Sequence, residues 1–220
     1  PLIGVKKIII DQYASSKTHF ILGLVAILTL QSGRLTVGGL LPLEQVGIYF
    51  RHALLVSLVY QVFNIAIYNR VVPEIFFMIK KTPIGQVKKI VSREHIKVMV
   101  LLLILSITIA NVYLFDAGVL FLRFNLEPYL LLGLLIATAI QTRGDLNGLL
   151  LQGLFKEKVI LNVKSVSLLA SILFTVILTI LLGINGTVLA TIVGSLVYML
   201  YMRHSLAKLE LNISFINKVR

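Results

Sequence analysis

QSGRLTVGGLLPLEQVGIYFRH, residues 31–52, contains the end of one apolar run, a tight turn with Pro42 in it and the start of a second run. Arg34 stands eight residues before Pro42 and Arg51 nine residues after it. If both runs are helices crossing a bilayer, the two guanidiniums hang at the same height, roughly 12 Å below the turn at ~1.5 Å per residue. A charge at membrane depth costs about 2.5–3.5 kcal/mol on insertion scales, so an Arg there faces protein or water rather than acyl chains. Two at one level predict an anion site facing a cavity. The alternative is that each side chain snorkels past its apolar neighbours to the outer surface.

The rest of the chain sets the surroundings of that hairpin. Of its 220 residues 58% are hydrophobic and only 14% charged, with a mean hydropathy of +0.96. Soluble domains carry about 25% charged residues. Apolar stretches of ~20 residues recur along the whole length, as transmembrane helices require. The expected fold class is therefore an all-α membrane protein. A net charge of +12 would suggest nucleic acid in a soluble chain. In a membrane protein it records cytoplasmic loops, and no nucleic-acid partner is expected. There is no cysteine, which removes disulfides, thiolate metal sites and Cys nucleophiles. The sequence begins at Pro1 without Met or a signal-peptide pattern, so it is expected to be a piece of a longer protein.

Six spans are predicted, at about 18–41, 46–72, 97–115, 128–151, 159–182 and 186–202, the second stopping near Pro73. Residues 80–96 mix lysines with Ile84, Val87, Ile90 and Val91, and read as an amphipathic helix lying on the membrane surface in a cytoplasmic loop. Lys and Arg sort sharply by side. Sixteen fall on one side: Lys6, Lys7 and Lys17; Lys80, Lys81, Lys88, Lys89, Arg93 and Lys97; Lys156, Lys158 and Lys164; Arg203, Lys208, Lys218 and Arg220. The other side holds Arg123 alone, and Arg34, Arg51, Arg70 and Arg143 lie within spans. Under the positive-inside rule both termini are cytoplasmic.

Two small-residue stripes predict helix packing. Gly186, Ala190 and Gly194 repeat every four residues on the sixth span, and Ser167, Ser171, Thr175 and Thr179 do so on the fifth. Such spacing lets helices approach closely where apolar burial drives little association.

Polar residues inside the spans are candidates for function. On the second span Ser57, Gln61, Asn64 and Tyr68 share a face, with Arg51 about 80° around from Gln61. Alone that stripe could be interhelical glue; with Arg51 it reads as a cavity wall. The fourth span crowds Gln141, Arg143, Gly144, Asp145, Asn147 and Gly148 into eight positions. Thr138, Gln141, Thr142, Asp145 and Gln152 share one face while Arg143 and Asn147 point nearly opposite, so lipid cannot cover this helix. Either protein and water surround it, or it breaks around Gly144 as discontinuous transporter helices do. Asp145 is the candidate for a coupling cation or proton, the alternative being a structural partner for an Arg of a neighbouring span. His52, beside Arg51, could sense pH or donate to an anion. His19, His95 and His204 fall at interfaces or in the basic loop. No histidines show metal-ligand spacing, and neither a phosphate loop nor a nucleophile elbow is present. Neither a cofactor nor an enzymatic reaction is expected.

GRLTVGGLL, a short turn, EQVGIYFRHALL and the later VVPEIFFMIKK together resemble lipid-linked oligosaccharide flippases. These are the Wzx-type polysaccharide transporters of the multidrug/oligosaccharidyl-lipid/polysaccharide exporter superfamily. The resemblance covers about residues 11–207 through short motifs. It departs from the family at Gly33, where an acidic residue often precedes the Arg, which puts a carboxylate-based coupling role there in doubt. What the resemblance implies is one six-helix lobe of a two-lobe transporter, here the second, with the N-terminal lobe as partner. It further implies a multi-pass protein of the bacterial inner membrane, translocating an undecaprenyl-pyrophosphate-linked glycan by alternating access. Arg34, Arg51 and His52 would hold the anionic head, since Arg matches phosphate with a fork of donors. Gln61 and Asn64 would meet sugar hydroxyls. A multidrug cation antiporter of the same superfamily would want an acidic cavity, and a membrane glycosyltransferase or polymerase a long outward loop with catalytic acids. Both stay open, as does a purely structural membrane subunit.

Overall fold

Pro42 makes the first corner. A proline lacks an N–H and pushes the residue before it out of the helical region, so one helix ends ahead of it and the next can begin just after. In a computed structural model of the chain, α1 (Leu2–Leu40) ends there and α2 (Leu43–Ile79) begins. The Leu41 N–H donates back to Val37 and the Val46 N–H to the Pro42 carbonyl, so the corner leaves few backbone groups unmatched. The structure describes residues 2–79, 81–82, 84–115, 127–154 and 156–219. Among the described residues the helices that follow are α3 (Ile84–Phe115), α4 (Pro128–Gly153) and α5 (Glu157–Val219). The described residues are helical with no strand. Gly183, at φ 61°, kinks α5 into two arms, a conformation that glycine alone adopts freely.

Among the described residues two stretches are long and apolar enough to cross a membrane, Ser16–Leu40 and Glu157–Leu209. The second holds 53 residues with the Gly183 kink inside it, and spans both of the last two predicted segments. Large apolar side chains stand outward in rows at helical spacing: Leu54, Leu58, Val62 and Ile65 on α2, Leu169, Leu173, Ile177 and Ile180 on α5. Contiguous apolar surface on that scale is what a lipid environment or a partner covers.

The central helix is α4, which packs against α5, α2 and α3, while α1 lies mainly on α5. Two cores form along it. One joins Leu130, Leu131, Leu134 and Leu135 with Val37, Tyr49, Val56, Val98 and Val188. The other joins Leu146, Leu149 and Leu150 with Ile75, Val87, Val91, Met202 and Leu206.

Several expectations change in the folded chain. Pro73 does not end α2, which continues to Ile79. The loss of one intrahelical hydrogen bond there is met by packing, because Val71 and Ile75 on either side of it are buried in the second core. Residues 84–96 are continuous with the next segment in a single 32-residue helix. Their apolar side chains Val87 and Val91 are covered by Ile75, Leu150 and Met202 rather than left for a membrane surface. An amphipathic face needs an apolar cover, and sequence does not say whether lipid or protein supplies it. Nor does α4 break at Gly144. It runs unbroken, and the glycine is where the Tyr198 ring presses in: a Cβ there would lie 2.5 Å from the ring.

The small-residue stripe on the second arm of α5 does pack as spaced. Gly186, Ala190 and Gly194 are all buried. A Cβ on Gly194 would come 3.0 Å from the Ser171 hydroxyl of the first arm, and Thr179 and Thr187 hydrogen-bond across the kink at 2.9 Å. The expected loop 116–127 with Arg123 lies, apart from Glu127, outside the described residues, as do Lys80 and Arg220.

Candidate functional site

Where the first core gives way to the second, α1, α2, α4 and both arms of α5 part around a polar cavity of about 150 Å³. Many of its lining residues carry a hydroxyl: Thr29 and Ser32 from α1, Tyr49, Ser57 and Tyr60 from α2, Thr138 from α4, Ser171, Thr175 and Thr191 from α5. Gln141 adds an amide, and Arg34 is the charged residue among those lining it. Many of these hydroxyls are anchored on their own helices. Thr29 donates to the Val25 carbonyl, Thr138 to Leu134, Thr175 to Ser171 and Thr191 to Thr187. Each thereby satisfies its proton locally and keeps oxygen lone pairs for the cavity.

Arg34 sits at this wall with its guanidinium 6.0 Å from the centre of the Phe50 ring, and the Tyr49 hydroxyl lies within its field. A ring face holds a cation through its quadrupole without using up N–H donors, so the fork remains able to meet an anion. Gly33 brings the helix close here, since a Cβ at that position would touch the Tyr49 hydroxyl at 3.4 Å.

Asp145 lies one residue deep behind the wall. The Tyr60 hydroxyl, which lines the cavity, donates to Asp145 Oδ2 at 2.5 Å, and the Tyr198 hydroxyl donates to Oδ1 at 2.9 Å. The partners that hold this carboxylate are thus two tyrosines from α2 and α5. Lys164 is the cation whose field reaches it.

The structure separates the two arginines that the hairpin places at one height. Arg34 reaches the cavity, whereas Arg51 is exposed and is not among the lining residues. Tyr49, Ala53, Val56 and Tyr60 form the lining face of α2, and at about 100° per residue Arg51 falls nearly opposite them. His52 is fully buried and committed on both sides. Its Nδ1 lies 2.7 Å from the Ile48 carbonyl, to which it donates, and its Nε2 accepts from the Glu127 N–H at 2.7 Å. Those contacts require the neutral Nδ1–H form and tie α2 to the start of α4. Gln61 is exposed and outside the wall, and the Asn64 and Tyr68 side chains lie outside the described residues. Of the described side chains on the predicted face of α2, Ser57 meets the cavity and Gln61 does not; on α4, Thr138 and Gln141 line it and Asp145 stands behind.

The tyrosines were the missed residues. The polar pattern of the second span does not single out Tyr49 and Tyr60, yet they recur at 11 residues, three helical turns, with Ala53 and Val56 between. That spacing was the available signal.

No family model, no curated protein and no solved structure matches the chain.

Proposed function

We propose that this chain is one six-span lobe of a two-lobe transporter that moves a lipid-linked oligosaccharide, borne on undecaprenyl pyrophosphate, across the bacterial inner membrane without an enzymatic step. The observation that carries the reading is a lone guanidinium on the wall of a hydroxyl-lined cavity between helices. Six spans with both termini cytoplasmic is the topology it uses. The two arms of α5 would then be the last two of them.

The cargo's anionic head needs a cation in a hydrated recess, and Arg34 supplies it with a donor fork suited to phosphate. At ~30 Å³ per water the recess holds about five waters' worth. That suits a phosphate group and not a glycan, so the sugars would lie between this lobe and the N-terminal one. Arg51 and His52, part of the expected head-group set, leave that role to Arg34. Hydroxyl oxygens of Ser32, Ser57 and Thr138, whose protons go to carbonyls of their own helices, would accept from O–H groups of the cargo as the lobes rock and expose the recess to each side in turn. Asp145 would take up the coupling cation or proton, with Tyr60 linking it to the cavity.

Arg34→Ala in the intact protein, scored for surface glycan with protein levels measured alongside, tests this. Normal export in that variant would end the proposal. A multidrug cation antiporter is the second reading, favoured by the Asp145 carboxylate one tyrosine away from the cavity. Deletion separates the two: sensitivity to cationic dyes marks the antiporter, loss of surface polysaccharide the flippase.

A further inference from the structure

A second cationic centre lies across α4 from Asp145, and none of the reading above uses it. Arg143 of α4 follows the face that carries Leu146 and Leu150 into the second core. His95 of α3 lies one turn beyond Val91, and Arg203 of α5 adjoins Met202, both in that same core. The three packed helices thereby bring two arginines and a histidine to one junction. Arg143 acts electrostatically on His95, and Arg203 on Arg143. Arg143 Nη1 and His95 Nδ1 are both buried with no hydrogen-bond partner among the described residues. Buried polar atoms are nearly always matched by protein, water or a ligand, so two unmatched atoms at one junction call for something to fill it.

The nearby carboxylates are committed elsewhere. Glu94, next to His95, is buried against Lys97, its Oε1 2.6 Å from the Lys97 Nζ. Asp145 is about 200° around α4 from Arg143 and is held by its two tyrosines. Like charges gathered in a partly desolvated place are unfavourable unless an anion joins them. Arg203 is exposed, which leaves the junction open at one edge.

We propose that Arg143, His95 and Arg203 form a binding site for a phosphate group, with Arg143 as the inner donor and Arg203 at the rim. The phosphate belongs either to an anionic lipid headgroup or to a free phosphate. Lys88, Lys89, Arg93 and Lys97 on α3 and His204 and Lys208 on α5 make the surrounding surface basic, which would raise the local concentration of either. This site stands apart from the Arg34 cavity and does not depend on what that cavity carries.

The full chain is placed in nanodiscs of phosphatidylcholine with or without phosphatidylglycerol, and bound lipid is read by native mass spectrometry. Inorganic phosphate is titrated separately, following the thermal unfolding midpoint. Arg203→Gln is an exposed change that leaves packing alone, and Arg143→Lys keeps the charge while losing the fork. Selective retention of phosphatidylglycerol, weakened about tenfold (~1.4 kcal/mol) in each variant, identifies a lipid site. A midpoint that rises with phosphate in wild type and less in both variants, without lipid selectivity, identifies a soluble phosphate. Lipid and phosphate responses that are absent, or that are the same in wild type and both variants, overturn the proposal.

Discussion

Each of the two charged regions on α4's flanks contains an arginine and a histidine, and the chain treats them in opposite ways. On the first side Arg34 rests against an aromatic face at the cavity wall, and His52, outside that wall, has both ring nitrogens matched. At the second junction, His95 and Arg143 each keep a buried nitrogen without a partner among the described residues, beside a further arginine. The difference shows that burial of a basic side chain's nitrogens is not one thing. A group whose donors and acceptors are met by the fold contributes to structure, and a group left with unmet donors sits where something else completes it.

The largest expected effect tests the first region. Arg34→Ala should lower glycan export by about 10- to 100-fold, the loss of one charge-assisted contact of ~1.5–3 kcal/mol, with the unfolding midpoint unchanged. Arg51→Ala, on the exposed side of α2, should change export far less. Equal losses in the two variants would erase the distinction between cavity and exterior. Next comes His52→Ala, which leaves the Glu127 N–H without its acceptor and removes the Nδ1–H bond to the Ile48 carbonyl, and should destabilise by about 1–3 kcal/mol. Urea or thermal unfolding in detergent reads that loss, and an unchanged midpoint would mean the histidine is not a staple.

The second region predicts the reverse sign. Arg143→Met, measured in phosphate-free detergent, should stabilise slightly, by about 1 kcal/mol or less after solvent screening, because it removes an uncompensated charge. Destabilisation there would mean Arg143 is already satisfied. The smallest effect is in pH. Burial and then the Arg143 charge hold His95 below its ordinary value, so it stays neutral in the folded chain while the unfolded chain takes up a proton near pH 6.5. Stability should therefore be full above about pH 6.5 and fall as pH drops below it, until the folded pKa is passed. His95→Gln should flatten that slope, and a slope unchanged by the variant would assign it to another group.

The hairpin shows how much of this could be seen in advance. Eight and nine residues either side of Pro42 put Arg34 and Arg51 at a common height, and spacing alone carries no more than that. Which way Arg51 points depends on how α2 is turned about its own axis, set by Tyr49, Val56 and Tyr60 packing inward, and Arg34 follows the turn of α1, whose Val37 is buried in the first core. The predicted polar stripe beginning at Ser57 lay to one side of the true lining face for the same reason. On α4 the face of Thr138, Gln141 and Asp145 was readable because polar side chains in an otherwise apolar helix leave few places to go. Asp145's partners were not, since Tyr60 is 85 and Tyr198 53 positions away in the chain.

Composition and periodicity, by themselves, determined that the chain is helical and apolar, that it turns at Pro42, and that small residues on the last segments let helices meet. These are properties of neighbours along the chain, governed by backbone sterics and by the period of a helix. Helix rotation, the continuation of α2 through Pro73, the cover over residues 84–96, the tyrosine clasp on Asp145 and the gathering of Arg143, His95 and Arg203 were decided by tertiary packing. Each depends on contacts between residues far apart in sequence, and close packing admits only one rotation of each helix that fills the space between them.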